Sequence, residues 1–343
     1  MTEGDTVSDP PAISVAGLRK AYGEHTVLDG VDLDVAAGSV FCLLGPNGAG
    51  KTTMVRIMTT LARADAGQVR VAGHDVAEEP DAVRAAIGVT GQFSAVDKLL
   101  TGEENLVMMG GLHRLAGAET RRRTARLLAR FDLEDAARRP VATYSGGMVR
   151  RLDLAMSLIG EPRVLFLDEP TAGLDPRSRR TMWQVAGDLA AGGVTVFLTT
   201  QYLEEADELA DRIALLDHGR LVAEGTPDEL KRLVSGGHVS LRFPDEASLA
   251  AAVSAVGGLP ADRDALTLRI PSDGSVASVK TLLGRLDEQA INVKTLSIHT
   301  PDLDDVFLAL TGRAPDQAPD HGPDHGPDHT SDHGPDQEEA ATP

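Results

Sequence analysis

Cysteine is nearly absent from this chain of 343 residues. Cys42 stands alone, which excludes an internal disulfide and a cysteine-rich zinc site. Aromatics are scarce too, at 3%, so few rings are available to stack bases, and the core has to be mostly Ala, Val, Leu and Ile. No apolar run approaches the roughly 18 residues that cross a bilayer as a helix. The acidic start, Met1 to Asp5, lacks the basic-then-apolar order of a secretion signal. Positive charge is in deficit: 33 Lys and Arg face 52 Asp and Glu, a net −19 that repels nucleic-acid phosphates. These absences predict a soluble, cytoplasmic protein with no nucleic-acid partner. What is present is 42% apolar residues and enough length for two or three domains.

Composition divides the chain. Residues 11 to 233 alternate strand-like and helix-like segments, the pattern of an α/β sheet. Val31, Leu33 and Val35 alternate with polar neighbours, as in a half-buried strand. Val40–Leu44, Val164–Leu167 and Val194–Leu198 are apolar on both faces and read as central strands. Thr226-Pro227-Asp228-Glu229 has the cap, proline and glutamate of a helix start, with the helix ending near Val234. The pair Gly236-Gly237 marks a boundary, giving a first domain at 11–235 and a small α+β accessory domain at 236–312. In the latter, strands are expected at His238–Phe243, Ala265–Ile270 and Ile291–Ile298. Helices are expected at Glu246–Val256, Ser275–Gln289 and Asp302–Leu310, with Val276, Val279, Leu282, Leu283 and Leu286 on one face of the second. The stretch 313–343 repeats Pro-Asp-His-Gly, and from Ala314 on it carries eight acidic residues without Lys, Arg or large apolar side chains. It is expected to be a disordered, solvated acidic tail, with weak divalent-metal binding through His321, His325, His329 and His333 as the alternative.

The strongest motif is Gly45-Pro46-Asn47-Gly48-Ala49-Gly50-Lys51-Thr52-Thr53, which fits G-x-x-x-x-G-K-[ST] after a strand. A triphosphate needs many donors at close range, and glycines let backbone N–H groups approach it. The following helix, starting near Gly50 and packed through Met54, Val55, Ile57, Met58 and Leu61, turns its positive end to the anion. Lys51 would reach the β- and γ-phosphates, and the Thr52 hydroxyl would ligate Mg²⁺. The apolar run Val164–Leu167 ends in Asp168-Glu169, where Asp168 holds the Mg²⁺ shell and Glu169 orients and deprotonates the attacking water. General-base help of that kind is worth about 10²–10⁴ in rate. Cys42, on the buried strand, reads as core rather than redox chemistry.

Tyr144-Ser145-Gly146-Gly147-Met148, taken with the phosphate loop and the acid pair, resembles the signature of ATP-binding-cassette (ABC) ATPases. Tyr144 and Met148 depart from the common Leu-Ser-Gly-Gly-Gln, while Ser145, Gly146 and Gly147 match. A serine and two glycines before a helix (Val149 to Ile159) make a second anion cradle. The resemblance implies a P-loop ABC-type nucleotide-binding domain with a helical subdomain. It implies a homodimer in which Ser145, Gly146 and Gly147 close on the γ-phosphate bound by the other copy. It further implies that Tyr22 stacks on adenine and that Gln92 senses Mg²⁺ and the γ-phosphate. Asp175, in Gly173-Leu174-Asp175, belongs to a loop that crosses the dimer interface. Gln201 stands where the family usually has a γ-phosphate-contacting histidine. A glutamine donates a hydrogen bond but shuttles no proton near neutral pH.

Thr199-Thr200-Gln201-Tyr202-Leu203-Glu204-Glu205-Ala206 and Pro301-Asp302-Leu303-Asp304-Asp305-Val306-Phe307-Leu308 narrow the resemblance to the ATPase subunits of daunorubicin/doxorubicin-type resistance exporters. That implies an ATP-hydrolysing subunit, peripheral on the inner face of the membrane, that powers drug efflux through a separate permease. The permease would dock on the segment with Leu99, Leu106, Met108 and Met109, although both methionines also suit plain core. Arg121, Arg122, Arg123, Arg126 and Arg130 read as a solvated basic face, with contact to anionic lipid as the alternative. Two alternatives stay open: a soluble cassette ATPase acting on ribosomes or DNA, and an ATP-dependent regulatory module. The 52 positions from Gln92 to Tyr144 leave no room for the long coil common among the former.

Overall fold

The computed structural model describes residues 10–91, 95–234, 237–272 and 275–312. Gln92, the boundary at 235/236 and the stretch 313–343 with its four histidines lie outside the described residues. Strands β1 (Ile13–Tyr22) and β2 (His25–Val35) pair antiparallel, β2 alternating buried Val31, Leu33 and Val35 with exposed aspartates. Strand β3 (Val40–Leu44), buried throughout, runs through the glycine-rich turn into α1 (Lys51–Met58). Strands β4 (Ala66–Val71) and β5 (His74–Asp75) return to complete an antiparallel sheet ordered β2-β1-β4-β5.

Helix α2 (Pro80–Ala86) leads into β6 (Ile87–Thr90), and a helical block follows: α3 (Gly102–Leu112), α4 (Gly117–Arg130) and α5 (Gly146–Ser157). Thr101 and Glu104 close a reciprocal capping box at the start of α3. Next come β7 (Val164–Asp168), α6 (Pro176–Ala191), β8 (Thr195–Thr200), α7 (Leu203–Leu209), β9 (Arg212–Asp217), β10 (Arg220–Gly225) and α8 (Pro227–Lys231). Strands β6, β7, β8, β3 and β9 run parallel, and β10 adds an antiparallel edge, in the order β10-β9-β3-β8-β7-β6. Parallel strands covered on both faces favour unbroken apolar runs, which β3 and most of β7 supply, while β8 is buried throughout although it carries Thr195, Thr199 and Thr200.

Successive residues of β3 serve two cores. Val40, Cys42 and Leu44 join the helical block, while Phe41 and Leu43 join α1 and the antiparallel sheet. Aromatics, though few, concentrate in that second core: Phe41 stacks on Phe197 at 5.7 Å, and Phe166 meets Phe197 at 5.6 Å. A third sheet, β12-β13-β11-β14, is built from β11 (His238–Arg242), β12 (Ala261–Asp262), β13 (Thr267–Pro271) and β14 (Thr295–His299). With α9 (Glu246–Ala255) and α10 (Val276–Glu288) it encloses its own core around Val239, Leu241, Leu249 and Leu286. The last helix, α11 (Leu303–Thr311), returns to the first core through Leu303, Val306 and Phe307.

Four expectations need correction. Leu61 is 66% exposed, because Thr60 turns left-handed (φ 64°) and ends the α1 turn before it. Val276 is 85% exposed at the first position of α10, so the packed face is Leu282 and Leu286 with half-buried Val279. Strand β14 starts at Thr295, not Ile291: left-handed Ala290 (φ 52°) closes α10 and drops Ile291 into the core. Arg123 is not a solvated side chain. It pairs with Glu119 and Glu161 and donates to Ile159 O at 2.8 Å.

Candidate functional site

The phosphate loop is shaped by what lies behind it. A Cβ on Gly45 would stand 2.3 Å from Leu216 O, so no other residue fits there. Gly50, at φ 112°, caps α1, and a Cβ on it would press on Leu28 Cδ2 at 2.8 Å and Val27 O at 2.9 Å. Among the described residues no side chain caps the N-terminal N–H groups of α1, and no acidic residue lies in its first turn. The β9–β10 turn supports the loop from the rear: Gly219 N–H donates to Ala49 O at 3.1 Å, and Asp29 N–H donates to Gly219 O at 2.9 Å. Asn47 and Gly48 are exposed at the tip of the loop.

Lys51 is 4% exposed. Its Nζ donates to Gly45 O at 2.7 Å and Pro46 O at 3.1 Å and lies 3.7 Å from Glu169 Oε1. Burial lowers its pKa, opposed by the charges of Glu169 and Asp168. Asp168 closes β7 beside Thr199 of β8. The Thr199 hydroxyl donates to Asp168 Oδ1 at 2.6 Å, and the exposed Thr52 hydroxyl donates to the same oxygen at 3.3 Å. Glu169 follows in a left-handed conformation (φ 50°), uncommon for a non-glycine residue. Its N–H donates to Thr199 O at 3.1 Å, and Arg150 Nε donates to Pro170 O at 2.8 Å just beyond. Lys51, Thr52, Asp168 and Glu169 therefore converge from α1 and the end of β7.

Arg150 also donates to Gly91 O at 3.0 Å and to Asp153 Oδ2 at 3.2 Å, while Asp153 Oδ1 accepts from Ala95 N–H at 3.1 Å. Helix α5 thus grips both flanks of the segment that contains Gln92. Burial lowers the Arg150 pKa, with Asp153 foremost among the carboxylates that oppose it.

A second cluster is built from other elements. Ser145 caps α5, accepting from Met148 N–H at 3.3 Å, so the helix begins at Gly146 rather than at the expected Val149. Asp175 caps α6, accepting from Ser178 N–H at 2.9 Å and from the Ser178 hydroxyl at 2.6 Å. A Cβ on Gly147 would lie 2.8 Å from Ser178 Oγ, so the two helix starts abut. Between them lies a cavity of about 450 Å³ lined by Ser145, Met148, Arg151, Leu174 and Ser178. Hydrogen bonds from Ser178, first from its hydroxyl and then from its backbone N–H, hold the Asp175 carboxyl below its ordinary range. Tyr22 is half-exposed at the end of β1, with Lys20 Nζ 5.1 Å from its ring centre. Gln201, between β8 and α7, buries an Oε1 without a hydrogen-bond partner.

The groups present fit a magnesium nucleotide. Open backbone N–H groups and an ammonium suit phosphate, and hard oxygen donors at Thr52 and Asp168 suit Mg²⁺. Thr199, Arg150 and Asp153 escaped the sequence reading. Their partners sit 31, 59 and 58 positions away, and no local pattern signals them.

A parallel sheet feeding this loop, with an acidic pair at the end of a neighbouring strand, defines a P-loop nucleotide-binding ATPase. The "ABC transporter" family model matches residues 28–172. The chain is 50% identical over 303 residues to a daunorubicin resistance ATP-binding protein of Streptomyces coeruleorubidus, covering 88% of this chain and 96% of that one. It is also 50% identical over 314 residues to the daunorubicin/doxorubicin resistance ATP-binding protein of Streptomyces peucetius, covering 89% and 94%. Among solved structures, it resembles the dimeric, ADP- and phosphate-bound ATP-binding cassette MJ0796, with TM-score 0.57 and 27% identity over 62% of this chain and 98% of that one. The chain belongs to the ATP-binding proteins of the ABC transporter family.

Proposed function

We propose that this ABC ATPase drives efflux of a hydrophobic, drug-like molecule through a separate permease, working as a homodimer of cassettes. The observation that carries it is the convergence of Lys51, Thr52, Asp168 and Glu169, in a chain half identical to resistance ATP-binding proteins. No helix among the described residues is long and apolar enough to cross a membrane, which supports a separate permease. The enzyme would then sit in the cytoplasm against the inner face of the membrane. Residues 236–312 would be an accessory domain, its last helix α11 packed back on the first core.

In this reading the Gly45–Thr53 loop, through backbone N–H groups other than those of Gly45 and Ala49, which pair with Thr200 O and Pro46 O, holds the β- and γ-phosphates together with the Lys51 ammonium, and Tyr22 stacks on adenine. Thr52 and Asp168, with Gln92, hold Mg²⁺, which when bound supplies charge neutralisation on the phosphate oxygens. Glu169 takes a proton from water as the water oxygen bonds the γ-phosphorus and the bond to the β–γ bridging oxygen breaks, leaving ADP and phosphate. Gln201 donates a hydrogen bond to the γ-phosphate. Ser145, Gly146 and Gly147 reach the nucleotide of the partner copy, with Asp175 on the loop between the copies.

The test is ATP-dependent uptake of amphipathic antibiotics into inverted vesicles that hold this protein and its co-encoded permease. Uptake that follows ATP and stops with Glu169→Gln is expected. Recovery of ribosomes or DNA, in place of a permease, from native membranes refutes the reading.

A further inference from the structure

Gln201 and the Asp175 loop belong to different elements, yet buried contacts tie them together. Helix α6 starts at its Asp175 cap and carries Arg179 and Trp183 one turn apart. The Arg179 guanidinium lies 5.1 Å from the ring centre of Tyr202 and 3.8 Å from Glu204. Trp183, the only tryptophan, donates its indole N–H to Glu205 Oε1 at 3.1 Å. Glu205 is completely buried. Among the described residues, the buried Arg179 Nε and Gln201 Oε1 nearby have no hydrogen-bond partner.

A carboxyl so placed is expensive to bury, and an apolar side chain would fill the space at less cost. Burial raises its pKa, and the Thr200 hydroxyl, the Trp183 indole and the Thr171 hydroxyl oppose the rise. Thr200 ends β8 and Thr171 opens the loop to Asp175, so one carboxyl faces the ends of both segments.

We propose that Glu205 is a positioning residue. Held by Trp183 and flanked by the Arg179–Tyr202 stack, it locks the segment carrying Gln201 to the helix that begins at Asp175. The γ-phosphate contact and the loop between the copies then shift as one body. The proposal rests on the roles given above to Gln201 and Asp175.

The test uses the purified full-length protein, with ATP hydrolysis measured against ATP concentration. Glu205→Leu is expected to lower kcat about tenfold, the loss of one buried hydrogen bond. KM should stay within about twofold, and the Hill coefficient should fall toward 1 as the two sites uncouple. Trp183→Phe, which keeps a ring in place, should reproduce the loss of cooperativity. Glu205→Gln, whose amide oxygen still accepts from the indole, should recover most of the turnover. Addition of ATP and Mg²⁺ should shift Trp183 emission in Glu169→Gln protein but not in Glu169→Gln/Glu205→Leu. Parental kcat and Hill coefficient in Trp183→Phe overturn the proposal even where Glu205→Leu fails to fold. If Glu169→Gln protein does not retain ATP, the site reading fails and the lock with it. If it retains ATP while cooperativity and emission ignore Glu205, the lock alone is wrong.

Discussion

Replacing Thr199 by valine should change the magnesium requirement of hydrolysis while sparing nucleotide binding. The hydroxyl is completely buried, 2.6 Å from Asp168 Oδ1, and the other donor to that oxygen, Thr52, stands farther off at 3.3 Å. Valine has nearly the same shape, so the packing of β7 on β8 survives. The backbone survives as well, since Glu169 N–H keeps its bond to Thr199 O at 3.1 Å. What disappears is the hydroxyl's hydrogen bond to a buried carboxylate, worth about 1.5–3 kcal/mol, together with the 3.2 Å bond it accepts from Glu169 N–H, a donor that keeps its other acceptor, Thr199 O. That range converts to roughly 10–150-fold in affinity, and loss of a hydrogen bond behind a metal ligand typically costs about 10–100-fold. The expected result is a rise of that size in the Mg²⁺ concentration giving half-maximal ATPase activity at saturating ATP. Binding of a fluorescent ATP analogue without Mg²⁺ should match the parent. Thr199→Ser, which restores the donor, should bring the midpoint back. A midpoint within twofold of the parent in Thr199→Val would refute the idea that Thr199 orients Asp168 for the metal.

Four further outcomes follow from the same geometry. Glu169→Gln should lose about 10²–10⁴ in kcat yet retain ATP, whereas Lys51→Ala should weaken nucleotide binding itself by at least about tenfold. Parental hydrolysis by Glu169→Gln would show that the base is assigned wrongly. Gly50→Ala should destabilise the fold by about 1–3 kcal/mol in urea unfolding, because φ 112° and the neighbouring Leu28 and Val27 leave no place for a methyl group; an unchanged midpoint would contradict this. Glu205 carries the folded-state pKa of a buried acid, above its ordinary 4.5, with Arg179 of α6, Arg150 of α5 and Cys42 of β3 as its charged or titratable neighbours. The stability it contributes is full below 4.5 and is lost as pH rises toward the raised value, so Glu205→Gln should gain on the parent in melting temperature from pH 5 to pH 7. A constant difference across that window would count against it.

The sequence spelled out those parts of the site that are local. Gly45–Thr53 is one continuous motif, and Asp168-Glu169 ends an apolar run that has to be a buried strand. The signature helix was legible in kind but started three residues early, because Ser145 caps it and two glycines follow where propensity argues against helix. The buttresses were not legible. Thr199, Arg150 and the Trp183–Glu205 pair act across 31, 59 and 22 positions, and a threonine or arginine inside an apolar pattern carries no mark of its distant partner. The few phenylalanines show the same limit. Composition pointed to an aliphatic core, whereas Phe41, Phe166 and Phe197 meet only once three strands are laid side by side.

The hairpin turn at His218-Gly219 looks, by its position on the edge of a sheet, like a spot where a tag or insertion would go unnoticed. Its bonds to Ala49 and Asp29 argue otherwise. An engineer who lengthens it would remove a strut from the rear wall of the phosphate cradle, more than 160 residues away along the chain, and fusions are better placed elsewhere.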